Sequence, residues 1–203
     1  MKKKTRKHLV GGNNAQHYKN LKDLAQEILN KAPHYGESYI VGSMAIALHE
    51  EAQGKQVSEP YPDDIDIVIP VEGRPGKVPD IYGMSSQNQT ATKGATFVHE
   101  GDPKLSVDVI QVETENEKKK YVPPILVNID GLRVLNIKDL KSEYNRIVGD
   151  DSEPKKKFAQ KKVNRLNVLS DDTETIDPRA AEDDIERRNS LKSLESVSRS
   201  LFD

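Results

Sequence analysis

The stretch Ser38-Tyr39-Ile40-Val41-Gly42-Ser43-Met44-Ala45-Ile46-Ala47-Leu48-His49 and, after a polar loop, Asp63-Asp64-Ile65-Asp66-Ile67-Val68-Ile69 decide how this chain folds. Ser38–Val41 is a short apolar run of strand type, broken at once by Gly42-Ser43. Met44–Ala52 contains helix formers throughout, so Tyr39–Ala52 reads as strand, tight glycine turn and helix, with Ser43 at the N-cap or in the first turn. Ile65–Ile69 is β-branched and apolar, a buried strand that Pro70 is expected to end.

Upstream, Tyr18, Leu21, Leu24, Ala25, Ile28 and Leu29 recur at helical spacing, which predicts an amphipathic helix over Ala15–Lys31. Downstream, Val71–Ala95 is rich in Gly, Pro, Ser, Gln and Thr and reads as a long irregular insertion. Thr96–His99 and Leu105–Val112 flank Gly101-Asp102-Pro103, whose turn residues predict a hairpin. Ile125–Ile129 and Leu132–Leu135 flank Asp130-Gly131, a strong short hairpin signal. Helices are expected from Asn136 to about Val148 and from Pro154 to about Leu169, and a last one over Arg179–Phe202 beyond an acidic linker. Helix, strand, helix, several strands and then helices alone is an α+β order: a mixed sheet with helices packed on it and a helical C-terminal extension. The organisation expected is a flexible basic lead-in over 1–14, a domain over 15–170 and a linker with a C-terminal helix over 171–203.

The composition is lean, with 34% hydrophobic and 32% charged residues, no Trp and three Phe, so a modest core is expected across the 203 residues. A net charge of -2 gives no global pull toward nucleic acid, although Met1–Lys7 and Lys155–Lys162 are locally basic. With no cysteine, disulfide frameworks and thiolate metal sites are excluded, which fits a cytoplasmic setting. No apolar run approaches the roughly 18 residues of a membrane span, so no membrane role is expected.

Three features carry the chemistry. Gly42-Ser43 sits where a helix N-terminus offers unpaired N–H groups, a seat for phosphate, though such a pair by itself is also an ordinary helix start. Strand alternation places Asp64 and Asp66 on one face while Ile65 and Ile67 point to the core. Two like charges so close favour a bound cation, or else mark a solvated strand entrance. Asp108 lies inside the β-branched run Leu105–Gln111, sharing a face with Ser106 and Ile110. If that strand lies beside Ile65–Ile69, Asp108 joins Asp64 and Asp66, and three carboxylates with a triphosphate suit two Mg²⁺ or Mn²⁺ ions. On an edge strand, it would face water instead. Asp63 replaces Asp64 only if the register slips by one residue. His49 reads as a packed helix residue, and Lys155, Lys156, Lys157 and Lys161 as a solvated helix face that could also reach a triphosphate or a nucleic-acid acceptor.

Val41-Gly42-Ser43 with its helix to His49, Pro62-Asp63-Asp64-Ile65-Asp66-Ile67-Val68-Ile69 and Ser106-Val107-Asp108-Val109-Ile110 together resemble the polymerase-β-like nucleotidyltransferase superfamily. The resemblance covers roughly residues 15–170 and is closest to the minimal bacterial branch of abortive-infection and toxin–antitoxin transferases. The chain departs from that pattern in its long Gln53–Pro62 spacing, in Tyr61-Pro62-Asp63 where a basic residue is usual, and in Tyr144 near a place usually held by Lys. What the resemblance implies is transfer of a nucleoside monophosphate from a triphosphate, ATP among others, to a hydroxyl of tRNA, protein or a small molecule. Asp64 and Asp66 would bind both metal ions and Asp108 one. Gly42, Ser43, Lys157 and Lys161 would bind the nucleotide. A toxin-like role, with an antitoxin or another protein as partner, belongs to the same implication. The alternative is a catalytically inactive nucleotide- or partner-binding module on the same fold, against which the intact acidic triad argues.

Overall fold

A computed structural model describes residues 12–31, 35–72, 74–90, 94–114, 124–150 and 153–170. The helices are α1 (Gly12–Lys31), α2 (Gly42–Ala52), α3 (Ile137–Asp150) and α4 (Glu153–Leu166). The strands are β1 (Tyr39–Val41), β2 (Ile65–Val71), β3 (Met84–Thr90), β4 (Gly94–His99), β5 (Ser106–Glu113), β6 (Leu126–Ile129) and β7 (Leu132–Leu135). They form one seven-stranded mixed sheet in the order β3-β4-β5-β2-β1-β7-β6. β2 runs parallel to β5 and β1 parallel to β7, while the other neighbours are antiparallel. The α+β architecture is therefore as expected. The expected C-terminal helix over Arg179–Phe202 lies outside the described residues, as does the basic lead-in up to residue 11.

Each element follows from its composition. α1 buries Leu21, Leu24, Ala25 and Ile28, the predicted stripe, and begins a little earlier than the pattern suggested, at Gly12. α2 is buried along Met44–Leu48 on every side, the condition of a helix covered by a sheet and by other helices at once. Asp130 and Gly131 both take positive φ, 53° and 81°, as a two-residue hairpin turn between right-twisted strands requires.

Two expectations are corrected. β2 does not stop at Pro70 but pairs through Val71 with β5. Its β1 partner ends at Val68, so on that side the missing N–H of Pro70 breaks no ladder. The segment read as a wholly irregular insertion contains β3, a Ser/Gln-rich edge strand whose ladder with β4 supplies what propensity lacks. Among the described residues no helix is long and apolar enough to cross a membrane.

Candidate functional site

In the parallel ladder of β2 and β5, Asp66 is the register partner of Asp108. Paired residues share a face, and their backbones lie about 4.8 Å apart. Ile65, Ile67, Val107 and Val109 are buried on the core side, leaving the two carboxylates half-buried on the other. Asp64 lies in the bend just before β2, two residues upstream and also half-buried. The pairing of β2 with β5 thus meets the condition under which Asp108 joins the pair.

β1 runs antiparallel to β2 and ends with Val41 opposite Asp66. The chain then turns at Gly42, with φ of +70°, directly into α2. A Cβ on Gly42 would lie 1.9 Å from Asp66 Oδ2, so the carboxylate rests against this glycine and no other residue fits. Val41 is the N-cap and contributes no side-chain cap, which leaves the first N–H groups of α2 uncovered by a capping side chain. Ser43 is thereby a first-turn residue. Its hydroxyl accepts a 2.6 Å hydrogen bond from Lys162 Nζ of α4.

Lys162 is 2% exposed and is the side chain that the sequence reading did not single out. Lys157 and Lys161 lie on the exposed side of α4, and it is their neighbour that reaches the Gly-Ser turn. A signal existed: Ala159, Lys162, Val163 and Leu166 form the buried stripe of the helix, and a lysine in such a stripe needs a reason. Its Nζ also stands 5.0 Å from the Phe158 ring centroid.

The electrostatics bind these groups into one site. Burial pushes the Asp66 carboxyl up to about 7, and the charges of Asp64 and Asp108 push the same way, while Lys162 exerts the smallest influence, downward. Burial and then Arg165 bring the Lys162 ammonium down to about 8, against the pull of Asp66, Glu50 and Asp63. Tyr144 of α3 is buried, and burial followed by the charge of Asp66 raises its phenol well above its ordinary value.

Behind the site, Arg165 Nε and Nη2 donate to Glu50 Oε1 and Oε2 at 3.0 and 2.7 Å. The Ser58 N–H donates to Glu50 and Arg165 Nη1 to the Pro60 carbonyl, so this clasp ties α4 to α2 and to the polar loop before β2. His49 lies away from the acids: it is fully buried with Nε2 against the Leu135 carbonyl at 2.9 Å, and its Nδ1 finds no hydrogen-bond partner among the described residues.

As hard oxygen donors, the carboxylates suit Mg²⁺ or Mn²⁺, and their mutual repulsion at Asp66 is what a cation would relieve. Among the described residues, however, no three His, Cys, Asp or Glu side chains converge tightly enough to close round an ion as they stand. The charge coupling and the open spacing describe one arrangement, in which acids share a face but are not drawn to a point.

No family model matches the chain, and no curated protein does. Among solved structures, JHP933 from Helicobacter pylori is 11% identical with a TM-score of 0.38, over 67% of this chain and 57% of that one. A candidate nucleotidyltransferase from H. pylori is 10% identical with a TM-score of 0.37, over 66% and 59%. The Megavirus polyadenylate synthase is 11% identical with a TM-score of 0.36, over 96% and 38%. The chain spans less than two thirds of the length of each. At such scores the likeness is too distant to carry a shared activity.

Proposed function

We propose that this chain is a nucleotidyltransferase that moves a nucleoside monophosphate from a nucleoside triphosphate to a hydroxyl of tRNA or protein. The observation that carries the reading is the row formed by Gly42, Asp66 and Asp108, in which a positive-φ glycine at a helix start touches one acid and the ladder pairs that acid with the next. The uncapped N–H groups of α2, the Ser43 hydroxyl and Lys162 are the groups suited to the β- and γ-phosphates. Lys157 and Lys161, exposed on the same helix, could add charge at longer range. Asp64 and Asp66 would hold two divalent ions and Asp108 one of them, and those ions would supply charge neutralisation of the triphosphate. Asp108 is also the base available to an attacking hydroxyl. The protein's own part is to orient the triphosphate and exclude alternative poses, with no covalent intermediate.

A second reading has one observation in its favour. Because the carboxylates do not close round an ion as they stand, the same scaffold could serve as a nucleotide- or partner-binding module, an antitoxin-type partner included. Incubation with each [α-³²P]NTP, Mg²⁺ or Mn²⁺ and cell extract separates the two. Transfer that disappears in Asp64→Ala/Asp66→Ala supports the enzyme. Nucleotide binding without transfer supports the module, and equal labelling by the double variant refutes the proposed chemistry.

A further inference from the structure

Helix α4 inverts the usual sorting of side chains. Its Lys162 is 2% exposed, whereas Phe158, one turn toward the helix N-terminus, is 52% exposed. Burying a phenylalanine is favourable and burying an ammonium is costly, so packing by itself would choose the opposite. Conflicts of this kind between local rule and tertiary structure gather at functional sites.

The two side chains act on each other. Positions four apart lie on one face of a helix, and Lys162 Nζ stands 5.0 Å from the centroid of the Phe158 ring. The same Nζ donates the 2.6 Å hydrogen bond to Ser43 Oγ in the first turn of α2. One ammonium therefore joins the glycine turn, where no side chain caps the first N–H groups of α2, to an exposed aromatic ring. Lys161, exposed and three residues beyond Phe158, is a further neighbour of that ring on the helix surface.

A nucleoside triphosphate is divided in the same sense, with a flat base at one end and an anionic tail at the other. We infer, resting on the nucleotidyltransferase reading, that Phe158 is the platform on which the base of the bound triphosphate stacks, with purines preferred over pyrimidines. Lys162 is the joint of this site: it turns its charge to the phosphates at Ser43 and stands beside the ring that takes the base. Aromatic rings stack on any base through the π-face, which gives affinity without hydrogen-bond readout. A bicyclic purine covers more of the ring than a pyrimidine does, and the larger contact sets the preference. The exposed Phe158 edge is the apolar surface that such a base removes from water.

The test titrates the whole chain in Mg²⁺ with the α,β-methylene analogues of ATP and CTP, which cannot be transferred, and with inorganic tripolyphosphate. The wild type should bind the ATP analogue more tightly than the CTP analogue. Phe158→Ala should weaken the ATP analogue ~10-fold, shrink the purine preference and leave tripolyphosphate unchanged. Phe158→Trp should restore the affinity, and Phe158→Leu, apolar but without a π-face, should behave as Phe158→Ala does. Equal weakening of the ATP analogue and tripolyphosphate would make the ring a mere cover for Lys162 and overturn the assignment. Full affinity in Phe158→Leu would overturn it too, as would a loss confined to single-stranded oligonucleotides. A wild-type chain that binds neither analogue nor tripolyphosphate would instead remove the underlying transferase reading.

Discussion

Helix α4 joins two charge clusters that could hardly be treated more differently. At one, Glu50 and Arg165 meet through paired 2.7 and 3.0 Å hydrogen bonds, and backbone groups of Ser58 and Pro60 complete the set. Burial raises the Glu50 carboxyl, but Arg165 and the Ser58 N–H more than reverse it, leaving Glu50 below its usual value. At the other, one turn away along α4, Asp66 meets two further acids and a single lysine, and is pushed up to about 7. The first cluster is complete within the chain. In the second, burial and the neighbouring acids outweigh Lys162 at Asp66, the kind of perturbation that gathers at functional sites more than at closed ion pairs.

The largest effect should come from breaking the complete cluster. Glu50→Ala leaves a buried guanidinium without its carboxylate, and thermal or urea unfolding should show a loss of about 3–5 kcal/mol. A loss under about 1 kcal/mol would mean that the clasp is no more structural than a surface pair. Next, Gly42→Ala combines a positive φ with a Cβ aimed at Asp66, and should cost about 2–3 kcal/mol in stability and most of the NTP affinity. Nucleotide titration of a folded Gly42→Ala protein with undiminished affinity would detach the turn from the site.

The incomplete cluster should respond with the opposite sign. Asp66 has a folded pKa raised from 3.8 to about 7, so its contribution is most favourable below pH 4 and is lost as pH rises through 7. Asp66→Asn should therefore abolish transfer yet gain about 2 kcal/mol of stability at pH 8 in EDTA, a figure discounted from the full shift for partial solvation. The gain should vanish near pH 4, and added Mg²⁺ should raise the melting temperature of the wild type alone. Destabilisation of Asp66→Asn at pH 8 would show that the acids are balanced already. The smallest effect belongs to His49, outside both clusters. Burial lowers its pKa, so its contribution holds above about pH 6.5 and is lost as pH falls below that value; His49→Gln should flatten this acid limb of a pH-stability curve.

The acids and the glycine turn were legible for different reasons. Asp64 and Asp66 stand out because alternation in a β-branched run fixes which side chains share a face, and Gly42-Ser43 because it breaks an apolar strand immediately before helix formers. β3 was not legible, since Ser, Gln and Asn form a strand there through a partner rather than by propensity. Lys162 hid among equally charged neighbours in Lys155–Lys162, where composition treats all alike and only helical phase separates one buried lysine from its exposed companions.

By itself the chain's sequence determined the local elements, the faces of β2 and β5 on which Asp66 and Asp108 lie, and the glycine turn between strand and helix at position 42. Periodicity and backbone sterics are local, so they can be read without a partner. Which strand neighbours which was settled only by the tertiary structure. Putting β5 rather than another strand beside β2 paired Asp66 with Asp108, and packing α4 on α2 brought Lys162 to Ser43 across 119 residues of sequence. Those choices depend on burying one shared core, and a long-range sum of that kind leaves no mark on any short stretch of residues.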